Sequence, residues 1–343
     1  MTCSKGNIRL LIISLAITLV MGEIILRAFV PQETKRFASF DKELGWRGTP
    51  RGEGVYIRKR DDIHVPYHYN NLGFRDEDVP DTAGAQFQIV ILGDSFVESL
   101  EVPYESTFQD RLEEHMKAQV GASSAVINIS SQGYSTAQEV IAYRKFRTIL
   151  RPDIVLLAFY IGNDFDDNLR EAFAFLDEQG RLNFKTNQDG WAKIQYLTIQ
   201  RWLYENSHLV FFVKNTVENI LGSRLAPQAK ERVKASVEHA TALTRSLILE
   251  MKNEVHRNGS KFGVLIFPTR EEVEKGNAEK TEIIVDICRE AQIPSLRLDS
   301  TLTPMHYFSH DAHLNETGHA VTAAEIVRFL SSSFNLDTIS MKL

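Results

Sequence analysis

Cysteine is nearly absent from this 343-residue chain: there are two, Cys3 ahead of the first apolar segment and Cys288 inside a helical-looking run over 283–288. Thiols so placed exclude a disulfide framework, and neither sits in a motif that would make it a nucleophile. They read as isolated thiols, with Cys288 buried. Positive charge is not in excess either. A net charge of -6 and a pI near 6.0 leave no basic surface for neutralising phosphates, so nucleic acid is not an expected partner. No internal repeat and no low-complexity tract is present, which excludes a solenoid or a linker-like chain. What is there is ordinary: 43% hydrophobic, 24% charged and 10% aromatic residues, a globular composition with ample material for a core.

The N-terminus carries a targeting signal. Lys5 and Arg9 precede an apolar run from Leu10 to Gly22, and Glu23 and Arg27 then interrupt a further apolar stretch ending near Val30. Read to Glu23, the run has the length of a signal peptide; read to Val30, it is long enough to cross a bilayer core of about 30 Å. No small-x-small cleavage site follows, and Glu23 and Arg27 fall at i, i+4, where they can pair on one helix face. An uncleaved anchor over 1–30 is therefore expected, with a cleaved signal and secretion as the alternative. Arg27, Lys35 and Arg36 offset Lys5 and Arg9, so the charge bias does not orient the helix. Export of the C-terminal body is the orientation expected.

Residues 31–86 are polar, with scattered Gly, Pro and Arg and strand-like pieces such as 55–57, and read as a connector packing on the main domain. Within it, Tyr69 to Arg75 is a turn followed by an aromatic and a cation; it lines an entrance or, the preferred reading, fixes a loop. From Phe87 onward apolar runs alternate with amphipathic helical spacing. Strands are expected over 87–92, 125–129, 154–160, 262–267 and 294–298, and helices over 107–119, 136–150, 229–257, 279–291 and 317–332. That is an α/β chain: a five-stranded parallel sheet covered on both faces, a flavodoxin-like three-layer α/β/α domain over 87–335, followed by a tail over 336–343. Residues 165–224 break the alternation and read as a helical insertion rich in Trp191, Ile194, Tyr196, Leu197, Trp202, Leu203, Leu209, Phe211 and Phe212. Its aromatics cover the sheet or the long following helix; the alternative is a lid that shapes an acyl or glycan pocket or touches the membrane.

Four short segments carry the chemistry. Gly93-Asp94-Ser95-Phe96 follows the first strand, so a tight strand-to-helix turn exposes the Ser95 hydroxyl while the Ser95 N–H helps to hold an oxyanion. Taken alone this tripeptide is an ordinary turn. Gly133, after the second strand, lets another backbone N–H approach a developing negative charge, or is a plain turn glycine. Asn163, after the third strand, offers an amide donor that does not titrate, or is a helix cap. In the last loop, His313 is placed to take the Ser95 proton and Asp311 to hold its tautomer. His306, His310, His313 and His319 crowd the same segment and leave a metal site open as a rival, and Asp164, Asp166, Asp167 and Asn168 form an acidic run that reads as a solvated loop start rather than a calcium loop.

In this order the four segments resemble those of the SGNH hydrolases, the GDSL lipase/esterase superfamily, from about Phe87 to the final helix. The stretches Asn71 to Arg75 and Gly133 to Gln138 also look like those of membrane-anchored bacterial members. The resemblance implies Ser95 as nucleophile, the Ser95 and Gly133 amides with the Asn163 side chain as oxyanion hole, His313 as base and Asp311 as its partner. Most members place the acid three residues before the histidine, where His310 stands here; the shorter Asp311 to His313 spacing is similar to that of periplasmic members that acetylate or deacetylate polysaccharides. A Ser-His dyad, or help from Asp299, stays open. The expected protein is thus a serine esterase or O-acyltransferase of the cell envelope, anchored in the inner membrane with its domain in the periplasm. It would act on an acylated glycan or similar ester and need no cofactor. Two rivals remain: a catalytically silent glycan-binding or scaffolding protein, and a metal-dependent protein built on the histidine cluster.

Overall fold

The computed structural model describes residues 5–30, 38–79, 87–119, 124–169, 172–185, 199, 203, 206–213, 216–217 and 230–335. Cys3, Trp191, Ile194, Tyr196, Leu197, Trp202 and the tail over 336–343 lie outside them.

The chain divides into two compact units, one of residues 1–36 with 188–234 and one of 37–187 with 235–343. In the first unit, helix α1 (Lys5–Phe29) contains a span from Arg9 to Phe29 long and apolar enough to cross a membrane. The pair anticipated at i, i+4 forms, with Arg27 Nε 2.7 Å from Glu23 Oε1. The Glu23 carboxylate also accepts hydrogen bonds from Ser207 Oγ and from the backbone N–H groups of His208 and Leu209, at 2.8, 3.0 and 2.9 Å. A carboxylate at the orphan N–H groups of a helical turn satisfies donors that have no acceptor within the helix.

The second unit begins with two antiparallel hairpins, β1 (Ala38–Asp41) with β2 (Gly45–Gly48), and β3 (Glu53–Arg58) with β4 (Ile63–His68). Then comes the main sheet: β5 (Phe87–Gly93), β6 (Ser124–Ser130), β7 (Ile154–Tyr160), β10 (Lys261–Phe267) and β11 (Ser295–Arg297), with hairpin β8 (Ala174–Leu176) and β9 (Leu182–Phe184) between β7 and β10 in sequence. The insertion thus carries a small hairpin as well as helix. The five main strands are parallel in the order β11-β10-β7-β5-β6. Every residue of β5 and β7 is buried, which is why both read as unbroken apolar runs rather than alternating ones.

Alternation shows instead in which core each side chain enters. Val90 and Leu92 join one cluster and Phe87, Ile89 and Ile91 the other, the period of two that a strand imposes. The first cluster is closed by α4 (Thr136–Leu150), α6 (Lys230–Arg257) and α8 (Glu279–Glu290), the second by α2 (Ser95–Glu98), α3 (Phe108–Gln119) and α9 (Glu316–Phe334). Two further short helices, α5 (Asp164–Leu169) and α7 (Arg270–Lys275), follow β7 and β10. The chain is therefore an α/β protein with three layers. Because β5 leads to β6 on one side while β7 lies on the other, the sheet has its switch point between the carboxyl ends of β5 and β7, where open sheets of this kind form a crevice.

Candidate active site

Ser95 follows β5 and Asn163 follows β7, so the topology sets them on the two sides of that crevice. At position 93 a side chain has no room, because a Cβ would run into Val97 and Ala158. Glycine here lets α2 pack close under the turn. Asp94 caps α2, accepting from the Phe96 N–H at 2.9 Å, and Ser99, with φ of 54°, closes the helix after one turn. Among the described residues the Ser95 N–H has no acceptor, nor does that of Gly133. Gly133 has φ of +72°, and a Cβ there would make only an ordinary contact with Trp46 at 3.8 Å, so glycine is required by backbone conformation rather than by crowding. Its loop is held from the connector side: Trp46 Nε1 donates to the Gln132 carbonyl at 2.9 Å and Tyr134 Oη to the Trp46 carbonyl at 2.6 Å.

The last loop brings the base across 218 residues of sequence. His313 Nε2 lies 2.8 Å from Ser95 Oγ, and His313 Nδ1 lies 2.5 Å from Asp311 Oδ1. The same Asp311 oxygen accepts from the His313 backbone N–H at 2.9 Å. A two-residue spacing works because one carboxylate oxygen closes a short turn and holds the ring at once. The second Asp311 oxygen pairs with Arg58, which arrives from β3. The imidazole rests against the Phe96 ring, with centroids 5.0 Å apart. Asp299, the alternative acid, is engaged by Arg297 at 2.8 and 2.7 Å and does not orient this histidine.

Asn163 is near the nucleophile turn, yet its amide nitrogen donates to Asp94 Oδ2 at 3.1 Å and to Asp167 Oδ2 at 2.8 Å. To serve an oxyanion, one of those hydrogens has to turn from its carboxylate. Of the run expected to be a solvated loop start, Asp166 is exposed, whereas Asp164, Asp167 and Asn168 are buried in α5. They face inward because protein partners meet them: Asp164 Oδ2 accepts from the Tyr160 N–H at 2.8 Å, and Asn168 Nδ2 donates to Thr244 Oγ1 at 3.0 Å. Glu139, from α4, is fully buried nearby. Burial, reinforced by the neighbouring Asp94 charge, pushes the carboxyls of Glu139 and Asp164 well above the usual range. Burial also raises Asp94.

The other three histidines are not gathered at one point. His306 Nδ1 accepts from the Thr303 N–H at 2.9 Å, and His310 Nδ1 lies 3.2 Å from Asp61 Oδ1. His319 is buried, stacks on Phe108 at 5.6 Å and accepts from its N–H at 3.2 Å. Burial drives the His319 pKa down to about 3, so the ring is neutral in the fold. Its folded value lies below the unfolded one, so the stability it gives is present above about pH 6.5 and is lost as pH falls toward about 3. The prediction is that His319→Gln, which keeps an acceptor but cannot titrate, flattens the loss of urea resistance between pH 6.5 and pH 4. Cys288 is buried and free, its thiol pushed up to about 12 by that burial, which suits packing and not nucleophilic attack.

Three sequence-distant residues complete the surroundings. Arg75 is fully buried and donates from Nη1 to the carbonyls of Glu98 and Ser99 and from Nη2 to that of Val102 at 2.7 Å. The turn over 69–75 therefore fixes a loop, the one that leads away from the nucleophile. Arg58 and Glu101 had no signal in the sequence, since nothing in the spacing of a hairpin or a loop announces which side chain ends beside a distant imidazole.

Ser95, His313 and Asp311 are thus joined by successive close contacts at the carboxyl edge of the parallel sheet of a three-layer α/β/α domain. No protein-family profile and no curated protein matches the sequence. Solved structures similar in fold include a psychrotrophic esterase from Pseudoalteromonas sp., at 12% identity over 72% of this chain and 98% of that one, with a TM-score of 0.43. A lipase/acylhydrolase from Enterococcus faecalis is similar at 15% identity over 72% and 96%, TM-score 0.40. An acetylxylan esterase from Geobacillus stearothermophilus is similar at 13% identity over 72% and 95%, TM-score 0.40.

Proposed function

We propose that the chain is a serine-dependent ester hydrolase or O-acyltransferase of the SGNH type, working through an acyl-Ser95 intermediate on an O-acetylated carbohydrate or similar ester of the cell envelope. The observation that supports it most is the 2.8 Å approach of Ser95 Oγ to His313 Nε2, made by residues at opposite ends of the domain sequence. In the first half-reaction Ser95 Oγ bonds to the ester carbonyl carbon while His313 Nε2 takes the hydroxyl proton. The tetrahedral oxyanion is met by the Ser95 and Gly133 N–H groups and the Asn163 amide. The bond to the alkoxy oxygen then breaks, and His313 returns the proton to the leaving alcohol. Water or a sugar hydroxyl attacks the acyl-serine by the same steps in reverse.

Asp311 keeps the imidazole in the tautomer that leaves Nε2 free to accept. The short acid-to-base spacing and the flanking motifs, by resemblance to polysaccharide-modifying members, support a glycan ester as substrate. The N-terminal helix is the anchor in the inner membrane, with the catalytic unit on the periplasmic side.

The test is release of p-nitrophenol from p-nitrophenyl acetate by the full chain in detergent. Wild type is expected to turn over well above the buffer rate; no release from folded protein contradicts the proposal. Asn163→Ala is expected to lower kcat by about 10²- to 10³-fold with KM little changed, the loss typical of one oxyanion donor. An unchanged kcat would remove Asn163 from the oxyanion hole.

A further inference from the structure

We propose that Glu101 is a second carboxylate for His313, a positioning residue that shares with Asp311 the task of holding the imidazole and balancing its charge. The inference rests on Ser95 and His313 acting as nucleophile and base. Its starting point is that Asp311 is divided between two partners: Oδ1 serves His313, while Oδ2 is paired with the Arg58 guanidinium. An arginine on the far oxygen withdraws part of the negative charge that would otherwise stabilise an imidazolium.

Glu101 stands on the same side of the ring, with Oε1 3.6 Å from His313 Nδ1, and its side chain is 1% exposed. Both of its oxygens are buried, and the side-chain hydrogen bond they have is to the Tyr56 phenol, which leaves the carboxylate short of a full set of donors. Burying a carboxylate without a full set of donors is unfavourable, so the position calls for a compensating charge. A proton arriving on His313 during turnover supplies that charge beside it.

Glu101 is placed there by the backbone and not by chance rotation of a long side chain. Ser99 turns the chain at the end of α2, and Arg75 grips the carbonyls of Glu98, Ser99 and Val102 on both sides of Glu101. The groups that face Glu101 are Tyr56 from β3, Arg75 from the turn after β4, Glu98 from α2, and Asp311 with His313 from the last loop, while Arg58 from β3 pairs with Asp311. Burial and the Glu101 charge keep the Tyr56 phenol protonated. A shift of under an ångström would bring Glu101 Oε1 into hydrogen-bond range of Nδ1.

The experiment measures the rate of Ser95 labelling by a fluorophosphonate from pH 5 to 9 in the full-length protein, in detergent, with circular dichroism as the check on folding. Glu101→Gln is expected to slow labelling about three- to tenfold and to move the acid limb of the profile to lower pH, because a negative charge beside the imidazole is gone. Asp311→Ala is expected to lose only about 10- to 100-fold, well short of the roughly 10⁴-fold typical when a sole triad acid is disabled, and adding Glu101→Gln takes the loss to that level. Should the glutamine variant not fold, Glu101→Met keeps the side-chain length, removes the charge and carries the same comparison.

Equal rates and an unmoved acid limb with and without the Glu101 charge, in both the wild-type and Asp311→Ala backgrounds, overturn the proposal. The donor atoms of Glu101, Asp311 and His313 also lie within 4.8 Å of one another, so loss of labelling on adding a chelator would overturn it in favour of a cation site. Wild type that does not label at all points elsewhere, to failure of the Ser95 reading itself.

Discussion

Ser95→Ala is expected to lower kcat/KM toward aryl acetates by at least about 10⁴-fold while leaving the fold and its unfolding midpoint essentially unchanged. Ser95 is only partly buried and its hydroxyl meets His313 at 2.8 Å, so removing one oxygen opens no apolar cavity and strands no buried partner. The His313→Ala loss should be similar, and the double variant should be hardly worse than either single one, since the hydroxyl and the imidazole act as a unit. Esterase assays on the three variants, with thermal melts alongside, provide the check. Losses that multiply would mean that the two residues do not share one proton transfer.

Arg75→Met is expected to destabilise the second unit by about 3–5 kcal/mol, the range for removing one partner of a buried charge pair. The guanidinium is 1% exposed and bridges three backbone carbonyls, so its loss leaves buried acceptors unpaired, and its positive charge no longer offsets the buried Glu98, whose carboxyl burial already raises to about 7. Arg75→Lys should recover little of this, because one ammonium cannot span carbonyls that a planar fork reaches together. Urea unfolding of the three proteins measures the differences. A loss under about 1 kcal/mol would mean that the loop over 98–102 is held by other contacts.

The main sheet was legible because strands buried on both faces leave uninterrupted apolar runs, as in Ile89-Val90-Ile91-Leu92, and parallel strands need helical crossovers of visible period. The ends of β6 and β11 lie within a residue or so of expectation. Ser95, Gly133, Asn163 and His313 were findable because each follows a strand or precedes the last helix, so topology alone sends them to one edge. Asp311 was legible as a neighbour of His313, and its contact with Arg58 was not, because the pairing of β3 with β4 and the direction of Arg58 depend on packing that local spacing does not encode.

The acidic stretch after β7 misled for a related reason. Asp164, Asp167 and Asn168 are polar, and polarity argues for solvent, but here a cluster of buried donors and acceptors accepts them beneath the nucleophile turn. Asn163 shows the same limit: its position was foreseen, while the two carboxylates that hold its amide come from separate segments. The partners of α1 were likewise hidden, since Glu23 meets Ser207, His208 and Leu209 from far along the chain.

The central claim is that Ser95 is made nucleophilic by His313, and intact-mass analysis after exposure to a fluorophosphonate reaches it without assuming any natural substrate. Folded wild type is predicted to gain the mass of one phosphonyl group, mapped to Ser95 by peptide analysis, and Ser95→Ala to gain none. Folded wild type without an adduct, or an adduct that persists in Ser95→Ala, would contradict the account.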